Sequence, residues 1–228
     1  ETLLKLKHHL KDTSNRLSSW NATVDSNCCH WVGVLCNNIT LHLNTEPSFF
    51  HEDVFNQQTY EDYSRSVFSR EINPCLVDLK YLNYLDFSGN HFGNMPIPSF
   101  IATMTSLTHL NLSYAGFDGN IPPQIGNLSN LFYLDLGSNY LFAENIDWVS
   151  SLSKLRYLDL SGMFLRTPGI GNIPSHIGNL SNLVYLHLQS YSMFPQNLHC
   201  LSSLSKLEHL GLGGIILQNR TEMNKRVN

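Results

Sequence analysis

Charge is scarce in this sequence. Asp, Glu, Lys and Arg together make up 14% of the 228 residues, the formal net charge is −4, and the 14 basic residues are scattered rather than clustered. That distribution excludes the basic patch on which nucleic-acid binding depends. No apolar run approaches the roughly 18 to 20 residues of a membrane-crossing helix, and the first residues do not have the pattern of a secretory leader. The expectation is a soluble chain or a piece of something longer. Catalytic signatures are missing as well: there is no G-x-S-x-G, no H-E-x-x-H, no phosphate loop and no kinase motif. Asp, His and Ser are plentiful but recur at intervals instead of converging on one pocket, so the expectation is a protein that is not an enzyme and holds no metal or cofactor.

What the chain has in quantity is leucine at fixed spacing. In the stretch from Ile121 to Leu141, Leu128, Leu131, Leu134, Leu136 and Leu141 surround Asn139 in the order L-x-x-L-x-x-L-x-L-x-x-N-x-L. This is the spacing of a leucine-rich repeat. The position of Leu131 recurs as Leu82, Leu107, Leu155, Leu183 and Leu207, in steps of 25, 24, 24, 28 and 24 residues. The extra residues of the long step place a bulging loop around 166–169. Within each unit the leucines of L-x-x-L-x-L point inward, and strands of successive units hydrogen-bond into one parallel sheet. Asn at the x-x-N position satisfies backbone groups in the turn after the strand. Asn90 and Asn139 keep it, whereas Ala115, Met163, Tyr191 and Ile215 replace it, which predicts looser turns in the later units.

Ahead of the repeats, Leu3, Leu6 and Leu10 share one helical face with Leu4 beside them, predicting a short amphipathic helix over residues 1–11. Leu17 and Trp20 follow, then the cluster Cys28-Cys29-His30-Trp31-Val32-Gly33-Val34-Leu35-Cys36. An adjacent Cys-Cys pair lacks the C-x-x-C spacing that brings two thiolates to one tetrahedral zinc ion. Six N-x-[ST] sequons, at Asn21, Asn38, Asn111, Asn127, Asn179 and Asn219, point to an oxidising, secretory route, so a disulfide is favoured over a metal site.

The order Leu-Leu-x-Leu-Lys-x-x-Leu, Leu-x-x-Trp, Cys-Cys-x-Trp-x-Gly-Val-x-Cys resembles the N-terminal cap of plant extracellular leucine-rich repeat proteins. Among these it is most similar to receptor-like proteins of the fungal-elicitor-receptor and disease-resistance type. The tract Gly-Asn-Ile-Pro, at 119–122 and again at 171–174, agrees with the plant-type repeat. The resemblance implies an α/β fold: a right-handed solenoid with its parallel sheet on the concave face and a helical, disulfide-bonded cap. It implies a bond between Cys29 and Cys36, with Cys28 partnered by a cysteine upstream of Glu1; Cys75 and Cys200 are left unassigned. It also implies receptor kinase partners and a cell-surface location, with a membrane-spanning segment outside this chain.

The expected organisation is a cap over 1–43, with a first strand at 39–43, an irregular insertion over 44–70, and about six repeats over 71–228 without a closing cysteine pair. A solenoid needs its ends covered, so the absence of a C-terminal cap carries the expectation of a fragment. In the insertion Phe49, Phe50, Phe55, Tyr60, Tyr63 and Phe68 alternate with acids. Two readings stay open there: a partner contact, or a loop folded back on the cap. If all eleven histidines were protonated, the formal charge would move from −4 to +7, so the surface charge is sensitive to mild acid.

Strand alternation sends the residues between the leucines to the concave side. One column is Tyr84, His109, Tyr133, Tyr157, Tyr185 and His209; the next is Asp86, Asn111, Asp135, Asp159, His187 and Gly211. Rings beside acids suit a peptide or sugar polymer laid across the strands, yet the same residues are close to the repeat consensus of the family and serve equally as ordinary filling. The function expected is recognition of a peptide or protein ligand in defence signalling. Two alternatives accompany it: a secreted inhibitor resembling polygalacturonase-inhibiting proteins, and a truncated paralogue without a ligand.

Overall fold

The computed structural model describes residues 1–36, 39–45, 67–69, 71–165, 173–188 and 198–212. Eight short strands form one sheet in the order β1 (Val34–Leu35), β2 (Thr40–His42), β3 (Tyr84–Asp86), β4 (His109–Asn111), β6 (Tyr133–Asp135), β8 (Tyr157–Asp159), β10 (Tyr185–His187) and β11 (His209–Gly211). Only the β1–β2 pair is antiparallel; from β2 onward every pairing is parallel. The register is uniform, with the central leucine of each strand facing that of the next: Leu41, Leu85, Leu110, Leu134, Leu158, Leu186 and Leu210. All but Leu210 are buried, each contributing roughly 1.5 to 3 kcal/mol. A leucine-rich repeat solenoid follows directly from this stacking, because each coil buries its apolar edge only against its neighbours.

The other flank of the repeats differs from the helices found in many α/β proteins. Among the described residues the only α-helix is α1 (Thr2–His9); the convex side is built from five-residue 3-10 turns at Pro74–Asp78, Ser99–Thr103, Pro123–Asn127, Asp147–Ser151, Ser175–Asn179 and His199–Ser203. A second sheet, not anticipated from the sequence, joins β5 (Asp118–Asn120), β7 (Tyr140–Ala143) and β9 (Phe164–Leu165) in parallel. It grows out of the Gly-Asn-Ile-Pro tract, whose Gly119 and Asn120 lie in β5. No helix among the described residues is long and apolar enough to cross a membrane.

The cap covers the first coil as its sequence requires. Leu3, Leu6 and Leu10 of the predicted helical face are buried, together with Leu17, Trp20 and Trp31. The two indoles stack with centroids 5.9 Å apart. Each indole N–H finds a carbonyl, Trp20 Nε1 donating to Val32 (2.8 Å) and Trp31 Nε1 to Asp25 (3.1 Å). Cys29 and Cys36 are joined by a disulfide, as the resemblance implied.

Asn90 and Asn139 are both buried and do more than the sequence pattern suggests. Nδ2 of Asn139 donates to Leu136 and Gly137 in its own coil and to Leu112 in the preceding one, while its Oδ1 accepts from Ala115 and Phe117 N–H. One asparagine therefore serves two coils. The turn at Ala115 is not left open as expected, because Asn139 from the next coil satisfies it. Asn90 reaches back in the same way to Leu43, Thr45 and Phe68. It thereby pins both ends of the insertion, whose residues 46–66 and 70 lie outside the described ones. Phe68 itself is fully buried beneath the Arg16 guanidinium, 4.3 Å from the ring centre. The loop expected at 166–169 and the turn positions Tyr191 and Ile215 also lie outside the described residues.

Candidate functional site

The strands set the site. With the central leucines inward, both predicted columns emerge on the concave face in strict register: Tyr84, His109, Tyr133, Tyr157, Tyr185 and His209 in one, Asp86, Asn111, Asp135, Asp159, His187 and Gly211 in the other. The fold thus brings together all ten residues expected to contact a ligand. It adds His42, which shares the register of Asp86 and lies 4.2 Å from the Tyr84 ring.

The rings use their faces on one another. Tyr133 and Tyr157 stack at 4.1 Å with 11° between planes, and Tyr157 and Tyr185 at 4.2 Å and 7°. His109 continues the row toward Tyr84 at 5.1 Å and toward Tyr133 at 5.8 Å, and His209 lies 5.8 Å from Tyr185. Faces occupied in this way are not available to a sugar ring or an aromatic side chain. What the row offers a partner is ring edges and phenolic oxygens. Burial, and then the neighbouring carboxylates, push the Tyr84, Tyr133 and Tyr157 hydroxyls above the ordinary phenol range, so they remain O–H donors throughout the physiological range. Burial lowers His109 in turn.

The acidic column has a different role from the one its sequence suggests. Asp86, Asp135 and Asp159 are only 6%, 9% and 8% exposed. In each, Oδ1 accepts the backbone N–H two residues on, from Ser88 (2.9 Å), Gly137 (2.9 Å) and Ser161 (2.8 Å). Asn111 makes the same bond with Ser113, so the column is a set of Asx turns that bend each strand into its loop. Of the second oxygens, that of Asp159 receives His187 Nδ1 at 3.0 Å and that of Asp135 faces the Tyr133 hydroxyl at 3.4 Å. A Cβ on Gly137 would meet oxygens of Ser161, Asp159 and Asp135 at 2.7, 2.8 and 3.2 Å, which places two carboxylates and a hydroxyl around one backbone position. Burial raises the Asp135 carboxyl to about 6, the Gly137 hydrogen bond opposes that rise, and Asp159 adds to it.

Beside the rings runs a third column that sequence reasoning passed over: Asn83, Thr108, Phe132, Arg156, Val184 and Glu208, one residue ahead of the aromatic positions. Phe132 is 40% exposed and Arg156 and Glu208 are exposed. Its signal was available, since an aromatic exposed immediately ahead of a strand has no core to fill, but it breaks the repeat instead of following it.

Among the described residues, the one grouping with the composition of a metal site is Cys28, Cys29 and Cys36. The Cys29–Cys36 bond consumes two of its sulfurs, and a single remaining thiol does not make a zinc site. Of the sequons, Asn21, Asn127 and Asn179 are exposed and Asn111 is half-buried on the concave face; Asn38 and Asn219 lie outside the described residues.

Residues 1–37 match the leucine rich repeat N-terminal domain, and 81–104 and 106–128 match the leucine rich repeat. Over 155 residues, 66% of this chain, the sequence is 38% identical to receptor-like protein EIX1 of Solanum lycopersicum. Its cap and its stacked coils are those of a leucine-rich repeat chain, and its sequence is similar to plant receptor-like proteins. It spans 14% of the length of that relative. Among solved structures, this chain superimposes on the Arabidopsis receptor kinase HAESA, solved in complex with the peptide hormone IDA and the co-receptor SERK1. The TM-score is 0.76 and the identity 27%, covering 95% of this chain and 33% of that one. A chain of the BIR3–SERK2 complex from Arabidopsis thaliana matches with TM-score 0.61 and 32% identity, covering 78% of this chain and 86% of its own.

Proposed function

We propose that this chain is the ligand-recognising part of an extracellular plant receptor-like protein, and that it binds an extended peptide or a protein segment across its concave face in defence signalling. The observation that carries this reading is the unbroken row from Tyr84 to His209, six rings in register with stacked tyrosines at its centre. Because the ring faces are covered, the row suits main-chain carbonyls that accept from phenolic O–H groups better than it suits sugar rings. The relatives support the same direction: HAESA is a receptor kinase solved with a peptide hormone. A receptor kinase partner is part of the proposal, supported by HAESA having been solved together with the co-receptor SERK1. The reading assigns no catalysis, cofactor or metal to these residues.

The test uses the secreted chain, immobilised and titrated with an array of extended synthetic peptides. For peptides that bind, Tyr133→Ala combined with Tyr157→Ala is expected to weaken binding at least tenfold while circular dichroism stays unchanged. Unchanged affinity would overturn the proposal.

A further inference from the structure

Six sequons present the same three-residue signal, but the fold does not treat the four described ones alike. Asn127 and Asn179 occupy the same position of their coils, the last residue of the 3-10 turns Pro123–Asn127 and Ser175–Asn179. In both, the Asn and the hydroxyl residue two places on, Ser129 and Ser181, are exposed. The residue between them, Leu128 or Leu180, is the one turned into the core at 0% exposure. The backbone is held identically, with Ser129 N–H on the Asn127 carbonyl and Ser181 N–H on the Asn179 carbonyl, each at 2.9 Å. Neither asparagine has a side-chain bond to lose in the geometry described.

Asn111 is the opposite case. It lies on the concave face between Asp86 and Asp135, its Oδ1 accepts from Ser113 N–H (3.1 Å) and Ser113 Oγ (2.8 Å), and Ser113 is 6% exposed. The turn is not itself the obstacle, because Asn21 makes the same pair of bonds to Thr23 with both residues exposed on the cap. The obstacle is place: a glycan on Asn111 would have to leave a packed column flanked by the His109 and Tyr133 rings.

We infer that Asn127 and Asn179 carry N-linked glycans in the folded, secreted protein and that Asn111 does not, so that the sugar sits on the flank leading into the strands and the concave row stays bare. In the transfer step the Asn carboxamide nitrogen attacks the anomeric carbon of a lipid-pyrophosphate-linked oligosaccharide. The C–N bond forms, the carbon–oxygen bond to pyrophosphate breaks, the lipid pyrophosphate leaves and the amide gives up one proton. The inference rests on the extracellular reading, but its test does not, because a supplied secretion signal imposes the route.

The whole chain, fused to such a signal, is expressed in a eukaryotic host, and the secreted and retained fractions are treated with peptide-N-glycosidase in heavy-oxygen water before peptide mapping. In the secreted fraction the heavy-oxygen Asp that marks a former glycosylation site is expected in nearly all copies of the peptides containing Asn127 and Asn179, and in none containing Asn111. Label at Asn111 confined to retained chains agrees with the inference, since transfer to an unfolded chain would then be blocking its export. Label at Asn111 in secreted chains, or its absence at Asn127 or Asn179, overturns it. Ser129→Ala and Ser181→Ala should each remove one glycan's increment of electrophoretic mobility, which reads the same sites without mass spectrometry.

Discussion

Gly33 lies against the main chain of His42 so closely that a Cβ on it would come within 2.2 Å of the His42 carbonyl oxygen. The His42 N–H in turn donates to the Gly33 carbonyl at 2.7 Å. This is why the cysteine cluster carries glycine between its tryptophan and its last cysteine: the cap must touch the first strand of the stack backbone to backbone. Gly33 also sits at φ +78°, a region L side chains rarely adopt. Gly33→Ala is therefore expected to cost about 2 to 4 kcal/mol, combining strain with steric conflict. Gly93→Ala is the control, because Gly93 shares the conformation at φ +69° but has open space around it; it should cost only about 1 kcal/mol. Denaturant midpoints of the two variants give the comparison, and equal losses would remove steric conflict from the account.

Asn139 holds five backbone groups across two coils. Asn139→Leu keeps the branching of the side chain but removes its donor and acceptor and strands those buried groups, so a loss of about 2 to 4 kcal/mol is expected. Hydrogen exchange should locate the damage in both coils, with faster exchange at Ala115 and Phe117 N–H as well as around residue 139. Acceleration confined to the mutated coil would contradict the shared role.

The Cys29–Cys36 bond closes a loop with a sequence separation of 7. Short loops gain less from closure than long ones, and replacing both cysteines by serine should cost about 2 to 3 kcal/mol. Since the closed segment holds Gly33 and Trp31 against the first coil, limited proteolysis should cut the variant first near residues 25–36. Equal protease resistance in the two proteins would count against that placement.

Acid should stabilise this fold through Asp135. Its carboxyl stands at about 6 in the folded chain against an ordinary 3.8, so between those values the folded state binds more protons than the unfolded one. Stability attributable to this group is then greatest below about pH 4 and declines as pH rises through 6, by about 3 kcal/mol. Asp135→Asn, which can still accept the Gly137 N–H and repeats what Asn111 does one coil earlier, should flatten that part of the profile and raise stability at pH 7. A pH series of urea midpoints on both proteins reads the difference; parallel profiles would exclude Asp135 as its source.

The spacing of Leu82, Leu107, Leu131, Leu155, Leu183 and Leu207 was enough to place the concave sheet, because period and burial are one fact in a solenoid. The two outward columns followed from it by alternation alone. What alternation does not carry is depth. Asp86, Asp135 and Asp159 alternate outward like the tyrosines, yet the turn after each strand folds over them and takes their oxygens. Nor does it carry which way a ring is used: Tyr133, Tyr157 and Tyr185 read as faces for a ligand, and a strand separation of about 4.8 Å draws them onto one another. The second sheet was hidden for another reason. Its β5 is Asp-Gly-Asn, three residues of poor strand propensity, and it exists because neighbouring coils hold the backbone extended, not because the side chains ask for it.

The two-coil reach of Asn90 and Asn139 has a mechanical consequence. A stack joined equally at every step would fray one coil at a time from an end, with each step costing the same. Here polar side-chain bonds fasten the coil of Asn90 to the segment around Leu43, and the coil of Asn139 to the segment around Leu112. The step between those two fastened pairs has no such buried asparagine; it is held by the contact of Phe92 with Phe117, 5.2 Å between ring centres, by main-chain bonds such as Phe92 N–H to the Ala115 carbonyl, and by two single side-chain bonds, Ser106 Oγ to the Lys80 carbonyl and Thr108 Oγ1 to the Asn83 carbonyl. Pulled from its ends, the array should part between the two bridged pairs before it parts within either of them.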